Sequence, residues 1–227
     1  MGKTTMSEIR IGLVGTFGRA GIAKNWHDDP RARVVAGCDI DEDYLDQFRE
    51  TYGEETFTTD DWRELVTRED VDAVGVFTPD YLHAEPAIAA FEAGKDVFLE
   101  KPMAIRIEDC DAILRAWKDA GSKLFCGFNM RYMPKINTMR DIVRSGTIGK
   151  VHAIWTRHHQ GRGGAAYFHD YRAVRDKART LLLQKASHDF DVIHYVTGEY
   201  TRRVVGMGGL DVFGGDKPND LKCDDCD

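Results

Sequence analysis

The chain lacks any apolar run of the roughly 18 residues that a helical membrane span requires, which excludes a transmembrane helix. Its opening stretch, MGKTTMSEIRIGLVG, is polar before it turns strand-like, without the apolar core and small-residue cleavage site of a secretory leader. Positive charge is in deficit: 31 Lys and Arg against 38 Asp and Glu leave a net charge of −7. Nucleic acid as a main partner calls for a basic surface, so that class is set aside. Cysteine is scarce and odd in number, at five. Cys38, Cys110 and Cys126 fall in expected strands or helices and read as small buried hydrophobes, not as a disulfide framework. The other two form Cys223-x-x-Cys226, with no second pair to complete four zinc ligands and no thioredoxin-like surroundings. No metal site is expected. Repeats and low-complexity tracts are absent as well. What remains is a globular chain, expected in the cytoplasm, with no nucleic-acid or membrane partner.

What is present is an alternation. EIRIGLVG, ARVVAGCD, VDAVGVFTP, DVFLEKP and KLFCGFN read as strands. RAGIAKNWHDD, DEDYLDQFRETYG, DDWRELVTRE, YLHAEPAIAAFEAGK and RIEDCDAILRAWKDAG read as helices, with Pro86 confined to a first turn. Strands alternating with helices predict a parallel sheet with right-handed crossovers. This domain is expected over residues 1–128. Residues 129–227 form a second region: a helix at KINTMRDIVRSG, a strand at VHAIWTRHHQ, a polar aromatic loop, a long helix at LLLQKASHDFDVIHYVTG and a strand at RRVVGMGGLDVFGG. About two strands and one long helix are too few for a self-standing layered domain, so this region is expected to be partial.

The first strand runs into Gly15-Thr16-Phe17-Gly18-Arg19-Ala20. A strand, a tight glycine turn and a helix start place backbone N–H groups and the helix dipole where a pyrophosphate can sit. Phe17 occupies the position that normally lets the backbone approach the phosphates, so crowding and weakened binding are expected, with Gly18 partly taking over. Asp39 ends the second strand, where a carboxylate binds a ribose 2′-hydroxyl and repels a 2′-phosphate. NAD is therefore expected over NADP. The alternative for Asp39 is that it caps the helix beginning near Asp41.

KDVFLEKPMA places Lys101 at the end of a strand, facing the crevice where open parallel sheets bind ligands. Alone, it would read as a solvated strand-end lysine. Taken together and in order, IGLVG, VDAVGVFTPDYLHAE, KDVFLEKPMA and GFNMRY resemble the Gfo/Idh/MocA family of oxidoreductases, collinearly from about Ile9 onward. The resemblance implies an α/β chain: an N-terminal Rossmann-type doubly wound parallel sheet, then an incomplete α/β domain with a mainly antiparallel sheet. The chain is short against that family, so it is expected to be truncated. It would form a homo-oligomer if the C-terminal sheet were complete.

The resemblance further implies hydride transfer between NAD and a secondary hydroxyl or ketone of a sugar or cyclitol. Lys101 then polarises or deprotonates the reacting hydroxyl. Thr78, Pro79 and His83 match the loop against the cofactor, Glu100 a contact near the nicotinamide ribose, and Asn129 and Arg131 a segment at the nicotinamide end. His83 equally suits a surface histidine in a first helical turn, and Arg131 a salt-bridged surface residue. His188 stands where the family carries a catalytic histidine. Gln184 stands four residues earlier, where many members have an aspartate, and the usual Lys–Asp–His relay is thereby in doubt. Lys185 is expected to add positive charge near His188 and favour a neutral base. His188 alternatively hydrogen-bonds to Asp191 and holds the domains together. Tyr167, His169, Tyr171 and Arg172 suit a polyol, or else belong to an ordinary loop. His158 and His159 are weaker candidates. The other functional readings are a catalytically impaired cofactor-binding or regulatory protein, and a non-redox glycosidase that uses NAD transiently.

Overall fold

The computed structural model describes residues 8–159, 167–168 and 170–209. Six strands form one sheet: β1 (Ile9–Val14), β2 (Ala32–Cys38), β3 (Phe57–Thr59), β4 (Ala73–Val76), β5 (Asp96–Leu99) and β6 (Leu124–Cys126). Their order is β3-β2-β1-β4-β5-β6, and every neighbouring pair is parallel. The chain winds outward from β1 through β2 to β3, then crosses back to β4 and winds the other way. The reversal lies between β1 and β4, in register at Val14 and Val76. In such sheets the crevice at the strand ends of this switch point is where ligands bind.

The strands are apolar on both faces because both are covered. Leu13, Val34, Val74, Val76 and Leu99 are fully buried. Helices α3 (Trp62–Val66), α4 (Ala84–Glu92) and α5 (Ile107–Ala120) bring Leu65, Phe91 and Ile113 to one core. Helices α1 (Ala23–His27) and α2 (Glu42–Tyr52) bring Ala23 and Phe48 to the other. Each large side chain so buried contributes about 1.5–3 kcal/mol. Pro86 lies in the first turn of α4, where its missing N–H costs no helical bond.

Beyond β6 come a 3-10 turn (Asn129–Tyr132), α6 (Pro134–Arg144), α7 (Asp170–Ala173), α8 (Arg175–Ala178), a π-helical turn (Leu182–Ala186) and α9 (Ser187–Thr197). Helix α6 packs on α9 through Tyr195, whose hydroxyl donates to Asn137 at 2.8 Å and receives the Arg140 guanidinium. The strands expected near 151–160 and 202–215 do not form within the described parts, 151–159 and 202–209. A strand exists by its ladder, and neither segment has a hydrogen-bonded neighbour among the described residues. No described helix is long and apolar enough to cross a membrane.

Candidate active site

The glycine turn sits at the switch point. Gly15 has φ +83°, and a Cβ there would lie 2.9 Å from Phe77 C and Thr78 N. Only glycine lets the end of β1 pass so close to the end of β4. Gly18, at φ +63°, opens a 3-10 turn (Gly18–Ile22) that runs into α1, and no atom lies within 4 Å of where its Cβ would be. Phe17 does not lie over this opening. Its ring turns toward α2 and stacks on Tyr44, with centroids 4.2 Å apart and planes 5° from parallel. Ala20 is buried beneath the turn.

Asp39 faces the same turn. Thr16 donates to its carboxylate from the backbone at 2.8 Å and from Oγ1 at 3.1 Å. The cap of α2 is Asp41, which accepts from the Asp43 N–H at 3.0 Å. Asp39 is thus not the helix cap, and its carboxylate stands beside the phosphate turn. The open space at Gly18, the left-handed glycines and this carboxylate fit a dinucleotide.

Lys101 follows β5 on the far side of the crevice. Its ammonium donates to the Gln184 carbonyl at 2.6 Å, which joins the sheet to the α9 segment. Burial pulls its pKa below the usual lysine value; Lys185 and Arg19 add to this, while Asp80 and Glu100 oppose it. Glu100 is buried and already engaged: Arg19 pairs with Oε1 at 2.8–2.9 Å, and the Lys101 N–H donates to Oε2 at 2.8 Å. Arg19 therefore ties the glycine turn to the lysine strand. His83 is buried, not on the surface. Its Nδ1 lies 2.8 Å from the Pro102 carbonyl and its Nε2 2.9 Å from the Thr78 carbonyl. It pins the Thr78–Pro79 loop against the Lys101–Pro102 turn.

His188 lies on α9, 8% exposed, edge-on to Phe128. Its Nδ1 is buried without a partner. Burial first, then the charges of Lys101 and Lys185, lower its pKa to about 4. The imidazole is consequently neutral at physiological pH. The unfolded chain takes up this proton near 6.5 and the folded site only near about 4. The contribution to stability is complete above pH 6.5 and is lost as pH falls toward 4. An NMR titration of the His188 ring should show a midpoint near 4; a midpoint between 6 and 7 would contradict the buried, lysine-flanked setting.

Asp191 does not bond to His188. It receives Arg131 in a two-point ion pair, Nε to Oδ2 at 2.9 Å and Nη2 to Oδ1 at 2.5 Å. Arg131 thus joins the 3-10 turn after β6 to α9, while Asn129 stands exposed on that turn. Lys185 lies over the Tyr167 ring at 5.6 Å, and Arg172 over the Tyr171 ring at 4.8 Å. His158 Nδ1 lies 3.0 Å from the Asp189 carboxylate; His159 is exposed. His169, Cys223 and Cys226 lie outside the described residues. Among the described residues no three His, Cys, Asp or Glu side chains converge as a metal site.

Asp80 was not anticipated from the sequence. It opens a 3-10 turn (Asp80–Leu82) at the end of β4, is 5% exposed, and accepts from the Tyr171 hydroxyl at 3.4 Å. Its signal was its place, directly after Thr78-Pro79 at a crevice-facing strand end.

A doubly wound parallel sheet with a glycine turn at its switch point, an acid after the second strand and a half-buried lysine near a neutral histidine defines the class: a dinucleotide-binding α/β protein. The description "Oxidoreductase family, NAD-binding Rossmann fold" matches residues 9–128, and "GFO/IDH/MocA C-terminal domain" matches residues 136–220. The chain belongs to the Gfo/Idh/MocA oxidoreductase family. It is 34% identical over 204 residues to myo-inositol 2-dehydrogenase of Thermotoga maritima, covering 89% of this chain and 59% of that one. It is 31% identical over 211 residues to 2,7-anhydro-N-acetylneuraminate hydratase of Mediterraneibacter gnavus, covering 90% and 53%. Among solved structures, the WlbA dehydrogenase of Bordetella pertussis, in complex with NADH and UDP-GlcNAcA, superposes with a TM-score of 0.70 at 26% identity, covering 84% and 55%. The chain thus spans between half and three fifths of the length of these three relatives.

Proposed function

We propose that this chain carries the cofactor site and proton-transfer residues of a cytoplasmic, homo-oligomeric NAD-dependent dehydrogenase acting on a secondary hydroxyl of a sugar or cyclitol. Residues 1–128 are read as the dinucleotide-binding domain and 129–227 as part of the substrate domain. One observation carries the reading. Among the described residues, the buried side-chain polar atoms without a partner are Thr78 Oγ1, Asp80 Oδ2, Gln184 Oε1, Ser187 Oγ and His188 Nδ1. They fall on only two segments, 78–80 and 184–188, and these meet at Lys101. Each such atom costs about 1–3 kcal/mol when left unpaired, so their concentration supports a reading in which a hydroxyl-rich guest pairs with them.

Gly15, Thr16, Gly18, Arg19 and Asp39 would hold the dinucleotide, with Thr78, Pro79 and Asn129 nearer its reactive end. When bound, it supplies the hydride acceptor. The chain's own residues move the proton. Neutral His188 takes it from the substrate hydroxyl. The Lys101 ammonium leaves the Gln184 carbonyl and donates to the developing alkoxide. Tyr167 and Arg172 orient the remaining hydroxyls. Asp39 favours NAD, because a 2′-phosphate would meet its carboxylate.

A fluorescence titration with NADH and NADPH, followed by NAD reduction with cyclitols and sugars, tests this. Saturable binding that favours NADH, with NADH produced from a polyol, is the expected result. Binding of neither by a folded sample would remove the proposal. A second reading is a reaction with no net redox change in which NAD is used transiently; a relative named as a hydratase favours it. Product formation without accumulated NADH would select it.

A further inference from the structure

We propose that Asp80 is a positioning residue that sets the charge state of Lys101. This rests on the reading of Lys101 as the group that meets the reacting hydroxyl.

The geometry is unusual for a carboxylate. Asp80 is withdrawn from water at the end of β4, beside the strand that ends in Lys101. Oδ1 has only the Tyr171 hydroxyl, at 3.4 Å, and Oδ2 is buried with no partner. A buried, half-satisfied carboxylate is expensive unless a positive charge offsets it. The charged and titratable groups acting on Asp80 are His83 on its own loop, Lys101 after β5, and Arg172 and Tyr171 on α7.

Lys101 makes no ion pair among the described residues; its ammonium is held by a neutral carbonyl. The charges acting on it are Asp80, Glu100, Lys185 and Arg19. Glu100 is already matched by Arg19, and Lys185 and Arg19 are themselves positive. Asp80 is the remaining carboxylate free to hold the proton on Lys101. Burial raises the Asp80 pKa and lowers that of Lys101, so each depends on the other to stay charged. The sign follows: without the Asp80 charge, Lys101 loses its proton at lower pH.

The test is reductive methylation of the full chain with 13C-formaldehyde and an NMR pH titration. The Lys101 signal is assigned by its absence in Lys101→Arg. No substrate is needed, so the result stands apart from whether any sugar is oxidised. Asp80→Asn should lower the Lys101 midpoint measurably, while Asp80→Glu keeps it near the wild-type value. In an active preparation the alkaline limb of kcat moves down by the same amount. An unchanged midpoint in folded Asp80→Asn overturns the proposal. Should that variant not fold, the wild type decides. Its Lys101 signal should move a second time as Asp80 protonates, above the ordinary carboxylate range, and a single inflection overturns the proposal.

Discussion

Lys101→Met lowers kcat for polyol oxidation by about 1,000-fold, within the range that a proton-handling and charge-stabilising group supplies. NADH affinity stays within about threefold, because the variant removes an interaction made chiefly in the transition state. Methionine keeps the unbranched stem and its packing but cannot donate to the Gln184 carbonyl or to an alkoxide. Steady-state kinetics and a parallel fluorescence titration separate the two effects. A kcat within about tenfold of the wild type would take Lys101 out of the chemistry.

Gly15→Ala destabilises the chain by about 2–4 kcal/mol and costs at least about tenfold in NADH affinity. Two penalties combine. The residue sits at φ +83°, where an L side chain is strained, and the new Cβ would lie 2.9 Å from backbone atoms of Phe77 and Thr78 that cannot rotate away. Gly18→Ala is the control. It shares the positive φ but meets nothing within 4 Å, so its cost in stability is about 1–2 kcal/mol. Denaturant melts of the two variants should therefore separate clearly. Equal melts would mean that the close approach of β1 to β4 is not what Gly15 serves.

Five of the six strands were legible because each is a short apolar run closed by Gly, Asp or Pro, with helical periods between them; β3, Phe-Thr-Thr at the sheet edge, is too short and polar to carry that signal. The glycine turn, Asp39 and Lys101 were legible for a related reason: all lie at strand ends, where position in the sequence maps directly onto position at the crevice. Phe17 was harder. A glycine pattern reports backbone freedom, but the direction of the ring depends on Tyr44, which lies on another helix. The pairing of Arg131 with Asp191 joins residues 60 positions apart, and no local spacing encodes it. His83 shows the same limit: its two carbonyl partners are invisible until the β4 and β5 loops are folded side by side. Asp80 was hidden because a carboxylate after Pro79 reads as a turn residue, and only its burial reveals the charge problem. Within the described stretches 151–159 and 202–209, strand-like alternation carried no information about a partner strand, and no ladder forms there.

The π-helical turn at Leu182–Ala186 has a consequence for how this site tolerates length changes. It holds one residue of slack directly ahead of His188. A single deletion inside 182–186 can be absorbed by tightening the turn to an ordinary α-helical one, leaving α9 where it is. The same deletion one turn later has no such reserve. It rotates every following side chain by about 100° and carries Asp191 off Arg131. The wide turn thus acts as a spacer that uncouples the length of the preceding loop from the aim of the histidine. Loops before it can lengthen or shorten while His188 keeps its bearing.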